Sequence, residues 1–253
     1  MGLGNECQGV KRVERDQERP GLRPIDMDSN EPVARRVFRE LRRAIVRMVF
    51  LPGQALSEQE IADQLGVSRQ PVREAFIKLA DAGLLQIKPQ RGSFIVKISV
   101  KQVFDARFVR EAVEVAVAAR AAAEASPRHI EEFRANLKQQ SIAIEERDNG
   151  RFMELDEALH RSIAMSVGCD YAWRVVEETK AQMDRVRYLS MPDATPLPRL
   201  IAQHTSIVDA IAAHDADAAQ AAMRLHLREI LASLPELEKR FPALFNHDIP
   251  DAP

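Results

Sequence analysis

The sequence predicts a mainly α protein: an N-terminal winged helix-turn-helix of three helices plus a β-hairpin, followed by an all-α antiparallel helical bundle. Three observations carry this expectation. Between Pro32 and Ile98, three short amphipathic stretches are separated by glycine turns and followed by two β-like runs. Beyond Ser99 only helical periodicity is found. Charge divides at the same place: residues 32–98 hold 12 basic and 6 acidic residues, whereas residues 99–253 hold 19 and 25, an asymmetry hidden inside a formal net charge of -2. A basic module joined to an acidic body suits a nucleic-acid reader attached to something else, and a solvated charged face is the plain alternative.

Taken in order, residues 1–31 mix charges with Pro20, Gly21 and Pro24 without an apolar period, and are expected to be a flexible tail. From Pro32, Val33, Val37, Leu41, Ile45 and Met48 recur at helical steps until Pro52-Gly53. Ser57 can cap a short helix with Ile61, Ala62 and Leu65 on one face, stopped by Gly66. Ser68 is expected to cap a third, burying Val72, Ala75, Phe76 and Leu79. The runs 84–88 and 93–97, separated by Pro89-Gln90-Arg91-Gly92, predict the hairpin and place the domain at 32–98. Helices are then expected near 100–125, 128–148, 151–167, 170–190, 197–213 and 216–233, with a short one near 235–240. That makes 99–240 a second domain and 241–253 a C-terminal tail.

Several classes are set aside. The chain lacks the ~18 consecutive apolar residues of a membrane span, and charges interrupt any signal-peptide core. Cys7 and Cys169 are too few for a disulfide framework or a cysteine-based zinc site. A soluble cytoplasmic protein is expected.

In the first domain the turn at Gly66 directs Ser68, Arg69, Gln70 and Arg73 outward at the start of the third helix, and such N-terminal residues contact base edges when a helix enters the major groove. Arginine can bond guanine bidentately, and glutamine can read adenine or bind phosphate. Arg91-Gly92 at the hairpin tip suits a neighbouring minor groove or backbone. Arg35, Arg36, Arg39, Arg42, Arg43 and Arg47 on the first helix read mostly as a salt-bridged face. The segments LSEQEIADQLGVSRQPVREAFIKLADAGLL and PQRGSFI resemble the DNA-binding domain of the GntR family of bacterial transcription regulators over residues 33–97. The resemblance implies that Ser68, Arg69, Arg73 and Gly92 contact operator DNA, the wing tip lying in the minor groove. Met48 stands where that family commonly places glycine.

In the second domain, histidines fall on apolar stripes. His160 shares one with Phe152, Met153, Ile163 and Val167; His204 lies among Leu200, Ile201, Ile207, Val208 and Ile211; His226 lies among Ala219, Ala222, Met223 and Ile230. Asp156 precedes His160 by one helical turn. A single buried histidine is more often a satisfied core residue than a ligand, but four N/O donors on three helices suit a metal in a bundle core. By donor type this would be a divalent cation, zinc foremost, with nickel, manganese or iron as alternatives. The segments DEALH and HTSIVDAIAAHDADAAQAAMRLHL are similar to the FCD effector-binding domain of FadR-type GntR regulators over about residues 100–235. This implies that Asp156, His160, His204 and His226 bind a divalent metal whose coordination is completed by a small organic-acid or sugar-acid effector. Arg110 matches an arginine of the same pattern and is a candidate effector contact, a buried pair with Glu114 being the alternative; Arg187 is a weaker candidate. His129, His214 and His247 are read as surface residues.

The function expected is that of a metabolite-responsive regulator, not an enzyme, binding a palindromic DNA operator as a homodimer. A metal-dependent enzyme acting on a small organic acid and a metal-free regulator with an acyl-type effector are the competing readings. Against the enzyme stand the lack of HExxH and of any phosphate-cradling loop.

Overall fold

Three amphipathic helices make the N-terminal core. Helix α1 (Val33–Val46) buries Val37, Leu41, Ala44 and Ile45. Helix α2 (Glu58–Leu65) buries Ile61, Ala62 and Leu65, and helix α3 (Arg69–Asp81) buries Val72, Ala75, Phe76 and Leu79. Helix α3 packs on both α1 and α2. The computed structural model describes residues 21–26, 29–190 and 196–246. It divides the chain into a unit comprising residues 1–102 and 238–253 and a second unit comprising 103–237.

The turn chemistry follows the residues. The Ser57 hydroxyl accepts from the Glu60 amide, and Gly66 closes α2 in the left-handed region at φ 65°, where only glycine is unstrained. Ser68 occupies the cap position of α3, but its hydroxyl makes no capping bond. The third helical residue is Pro71, so one of the two amides a capping serine can accept from is missing. Met48 follows α1 at φ 55° and is buried, so the left-handed turn that suits glycine is here held by packing.

Strands β1 (Ala55–Leu56), β2 (Leu85–Lys88) and β3 (Gly92–Ile95) form an antiparallel sheet in the order β1-β3-β2. Lys88 pairs with Gly92 across the hairpin, whose turn needs positive φ at Gln90 and Gly92. Strand β1 is an addition to the expected hairpin. Residues 21–26 also depart from the expected tail: Ile25 is buried, and Arg43 Nη2 donates to the Gly21 carbonyl at 3.2 Å. Residues 1–20 lie outside the described residues.

The remaining helices are α4 (Val100–Glu124), α5 (Pro127–Glu145), α6 (Asn149–Met165), α7 (Asp170–Thr179), α8 (Ala181–Ser190), α9 (Leu197–Ala212) and α10 (Ala216–Arg240). Within the second unit, α4, α5, α6, α7, α9 and α10 share one apolar core containing Ala118, Phe133, Leu159, Ile163, Val176, Ile207, Ile211 and Met223. Three boundaries differ from expectation. Helix α6 begins at Asn149 because the Asp148 side chain accepts from the Arg151 amide at 2.8 Å, and Arg147 rather than Gly150 takes the positive φ. The helix expected over 170–190 is two, α7 ending where the Thr179 hydroxyl bonds back to the Val175 and Val176 carbonyls and competes with the helical ladder. Helix α10 runs through Pro235, because burial of Leu234 and Leu237 outweighs the lost backbone bond.

The segment 241–246, expected as a tail, carries a 3-10 turn (Pro242–Leu244) and strand β5 (Phe245–Asn246). Strand β5 pairs in parallel with β4 (Ile98–Ser99), Ile98 opposite Phe245. Leu244 and Phe245 are buried, which is why a segment without visible periodicity is ordered. Among the described residues no helix is long and apolar enough to cross a membrane.

Phe76 is fully buried between helices of the first unit. Phe76→Ala is therefore expected to destabilise that unit by about 3–5 kcal/mol, measured by urea denaturation followed by circular dichroism; a loss under 1 kcal/mol would contradict this packing.

Candidate functional site

The most concentrated chemistry lies inside the second unit. Asp156 and His160 stand one turn apart on α6, His204 is on α9 and His226 on α10. All four are buried, and their potential ligand atoms lie within 4.8 Å of one another. The side chains named from spacing therefore converge. His160 Nε2 is 3.0 Å from His226 Nε2, His204 Nε2 is 3.4 Å from His226 Nε2, and His204 Nε2 is 3.1 Å from Asp156 Oδ1. With metal–nitrogen bonds of about 2.1 Å, ligands at right or tetrahedral angles stand roughly 3.0–3.4 Å apart, so the donor spacing fits a small divalent cation.

The outward nitrogens explain why the inward ones point to a common centre. His204 Nδ1 contacts Gln140 Oε1 at 2.7 Å, and Gln140 is itself oriented by donating to Asn136 Oδ1 at 2.7 Å. His226 Nδ1 contacts Gln203 Oε1 at 3.2 Å, with Gln203 donating to Glu229 at 2.9 Å. His160 Nδ1 lies 2.6 Å from Glu114 Oε2, short but poorly aligned for a hydrogen bond. For His204 and His226, the oxygen acceptors at Nδ1 place the proton there and leave the Nε2 lone pairs facing inward.

Charge reinforces the arrangement. Asp156 forms an ion pair with Arg187, yet neither carboxylate oxygen has a partner with hydrogen-bond geometry. Burial alone would raise the Asp156 pKa, but Arg187, His204 and His160 hold it well below its ordinary value. Burial, then its imidazole neighbours His204 and His160, pushes His226 well below the ordinary histidine range, and burial likewise lowers His204 against the pull of Asp156. An ionised carboxylate beside neutral imidazoles is the protonation state that binds a cation.

A small, half-open cavity adjoins this cluster, its wall including Arg110, Met183, Arg187, Ser190, His226 and Ile230. Arg110 is buried and holds Glu114 through both Nε and Nη2. The pairing offered as the alternative for Arg110 is thus present, and its side chain also borders the cavity. Gln140 and Gln203 escaped the sequence reading. A polar Gln140 on the stripe of Phe133 and Asn136 was the available signal, since it is fully buried. Of the other histidines, His129 completes the Ser126 capping box, and exposed His214 donates from Nδ1 to the Ala122 carbonyl at 2.8 Å. His247 lies outside the described residues.

The first unit presents a different surface. Ser68, Arg69, Gln70 and Arg73 are exposed at the start of α3, and Arg91 and Gly92 are exposed at the hairpin tip. Arg69 is lightly tethered to Glu58 at 3.3 Å, and Gln70 to Glu74 at 3.0 Å. Such exposed contacts are weak enough to exchange for a phosphate or base. On α1, Arg35 and Arg39 are exposed while Arg43 is held by Glu40. Arg36, expected on a solvent face, is buried.

Residues 33–95 match the bacterial regulatory proteins of the gntR family, and residues 105–229 match the FCD domain. Over 222 residues the chain is 42% identical to the HTH-type transcriptional repressor RspR of Escherichia coli (strain K12), covering 88% of this chain and 97% of that protein. The chain belongs to the GntR family. This regulator is also 25% identical to the gluconate operon transcriptional repressor of Bacillus licheniformis over 72% of its length and 76% of that protein's. Its fold is shared with the solved structure of E. coli McbR/YncC, with a TM-score of 0.73 and 19% identity over 81% of this chain and 98% of that one. The family and these relatives are transcription regulators, not enzymes.

Because Asp156 is fully buried, Arg187→Ala is expected to destabilise chelator-treated protein by about 3–5 kcal/mol, the cost of stranding a buried charge. Added zinc should recover part of that loss. Equal stability of variant and wild type in chelator, measured by denaturant titration, would contradict the role assigned to this pair.

Proposed function

We propose that this GntR-family transcription regulator senses a small carboxylate through a divalent cation held in its helical unit, and that it binds a palindromic operator as a homodimer in the cytoplasm. The observation that carries the reading is the buried convergence of Asp156, His160, His204 and His226 beside a cavity bordered by two arginines. Asp156 Oδ and the three Nε2 atoms would hold the cation, zinc foremost. When bound, the cation supplies a Lewis-acid anchor for an oxygen of the effector. Arg110 and Arg187, each paired with a buried carboxylate, border the adjoining cavity, and an organic-acid or sugar-acid anion there would lie next to the cation.

In the first unit, Ser68, Arg69, Gln70 and Arg73 would face the major groove, with Arg91 and Gly92 at the neighbouring minor groove or backbone. Two copies would engage half-sites spaced by one helical turn or a multiple. Effector binding can alter operator affinity only by its differential affinity for two arrangements of the reading heads.

Elemental analysis with thermal melting is the direct test. One equivalent of divalent metal is expected, and metal at a hundredfold excess over its Kd should stabilise the protein by about 2.7 kcal/mol relative to chelator. Metal-free protein with an unchanged melt would favour a metal-free regulator. His204→Ala should abolish metal binding and the response to acids while sparing operator binding. Arg69→Ala or Arg73→Ala should weaken specific operator binding by about 1–3 kcal/mol if the side chain reads a base bidentately; fluorescence anisotropy showing no sequence preference in wild-type protein would overturn the assignment of the reading head.

A further inference from the structure

Three acceptors face the three outward imidazole nitrogens of the cluster, and they are not equivalent. Gln140 and Gln203 are neutral carboxamides. Glu114 is a carboxylate, 2.6 Å from His160 Nδ1 and gripped through both oxygens by Arg110 one turn earlier on α4. Arg110, Glu114 and His160 are 3%, 4% and 3% exposed, so solvent screens little of this charge. Arg110 also borders the cavity, as does His226.

We propose that Glu114, clamped by Arg110, is the positioning residue for the metal-binding imidazole of His160, and that Arg110 acts on the site through this carboxylate rather than as a direct effector contact. The inference rests on the metal-sensing reading above. At 2.6 Å the contact acts through charge: a carboxylate beside Nδ1 favours the proton there and raises the basicity of the metal-facing nitrogen more than a carboxamide does. Glu114 thus makes His160 the strongest nitrogen donor of the set. Because Arg110 spends two of its donors on Glu114, an anion in the cavity that draws on Arg110 also changes the hold on His160. The path from cavity to cation therefore runs through three side chains on two helices.

The test uses the full chain with Glu114→Gln, Arg110→Gln and the double variant. Zinc affinity is read by competition with a chromophoric chelator, and ligand geometry by the visible absorption of the Co²⁺-loaded protein. Glu114→Gln should weaken zinc binding about 10–100-fold and alter the Co²⁺ spectrum. Arg110→Gln should produce a smaller loss in the same direction, although it touches no ligand atom. The double variant, which leaves neither charge stranded, should fold as wild type does and still bind zinc more weakly. Wild-type zinc affinity and Co²⁺ spectrum in the double variant would overturn the proposal, whatever the single variants do to stability. So would an Arg110→Gln protein that loses the response to organic acids with zinc affinity unchanged, since that marks a direct effector contact. A wild-type protein binding no stoichiometric zinc or Co²⁺ fails earlier, at the metal-sensing reading itself, and takes this proposal with it.

Discussion

The cost of burying a carboxylate with three imidazoles governs the design of the helical unit. Even a neutral polar group costs about 2–7 kcal/mol to bury without a partner, and Asp156 is ionised at 0% exposure. The surrounding elements answer that cost. Helix α8 is buried on nearly every side and delivers Arg187 to the carboxylate. Helix α5 delivers Gln140, helix α9 delivers Gln203 alongside His204, and helix α4 delivers Glu114. The polar groups are thus tied to one another in chains that end at the surface or at a backbone carbonyl, as with Asn136 and the Leu155 carbonyl. What the protein leaves unsatisfied, the two oxygens of Asp156 and the inward lone pairs, is collected at one point.

The two units solve opposite problems. In the helical unit, polar side chains are concentrated in the interior, and burial sharpens every electrostatic interaction. In the N-terminal unit the interior is mainly apolar, with Arg36 and Glu40 as buried charges on α1, and chemistry is displayed outside at the start of α3 and the tip of the β2–β3 hairpin. Proline at the third position of α3 removes a donor that would otherwise engage Ser68, leaving that hydroxyl uncommitted to its own helix. A reading surface gains from groups that are held in place yet not already used.

Much of this was legible in the sequence because the helices bury wide faces. The stripes of α1, α3, α6 and α9 appear as three- and four-residue spacings, and polar residues that interrupt them, Asp156, His160 and His204, stand out by contrast. Arg110 and Glu114 were visible as a pair but not as neighbours of His160, since contact across helices has no periodicity. Gln140 and Gln203 were missed because a glutamine is equally at home on a surface. The break at Lys180 depends on a hydroxyl folding back on the helix, and continuity through Pro235 on leucines packed elsewhere; tertiary burial decides both. Strands β1, β4 and β5 span two residues each, too few to show alternation.

The parallel pairing of Ile98 with Phe245 has a practical reach. Polypeptide that left the reading head at Ser99 comes back to it at Phe245, five residues after the end of α10, the helix that bears His226. Anyone trimming the chain before Phe245, or appending a purification tag directly after Asn246, would be editing a seam of the DNA-facing half, though some 145 residues of sequence separate it from Ser99.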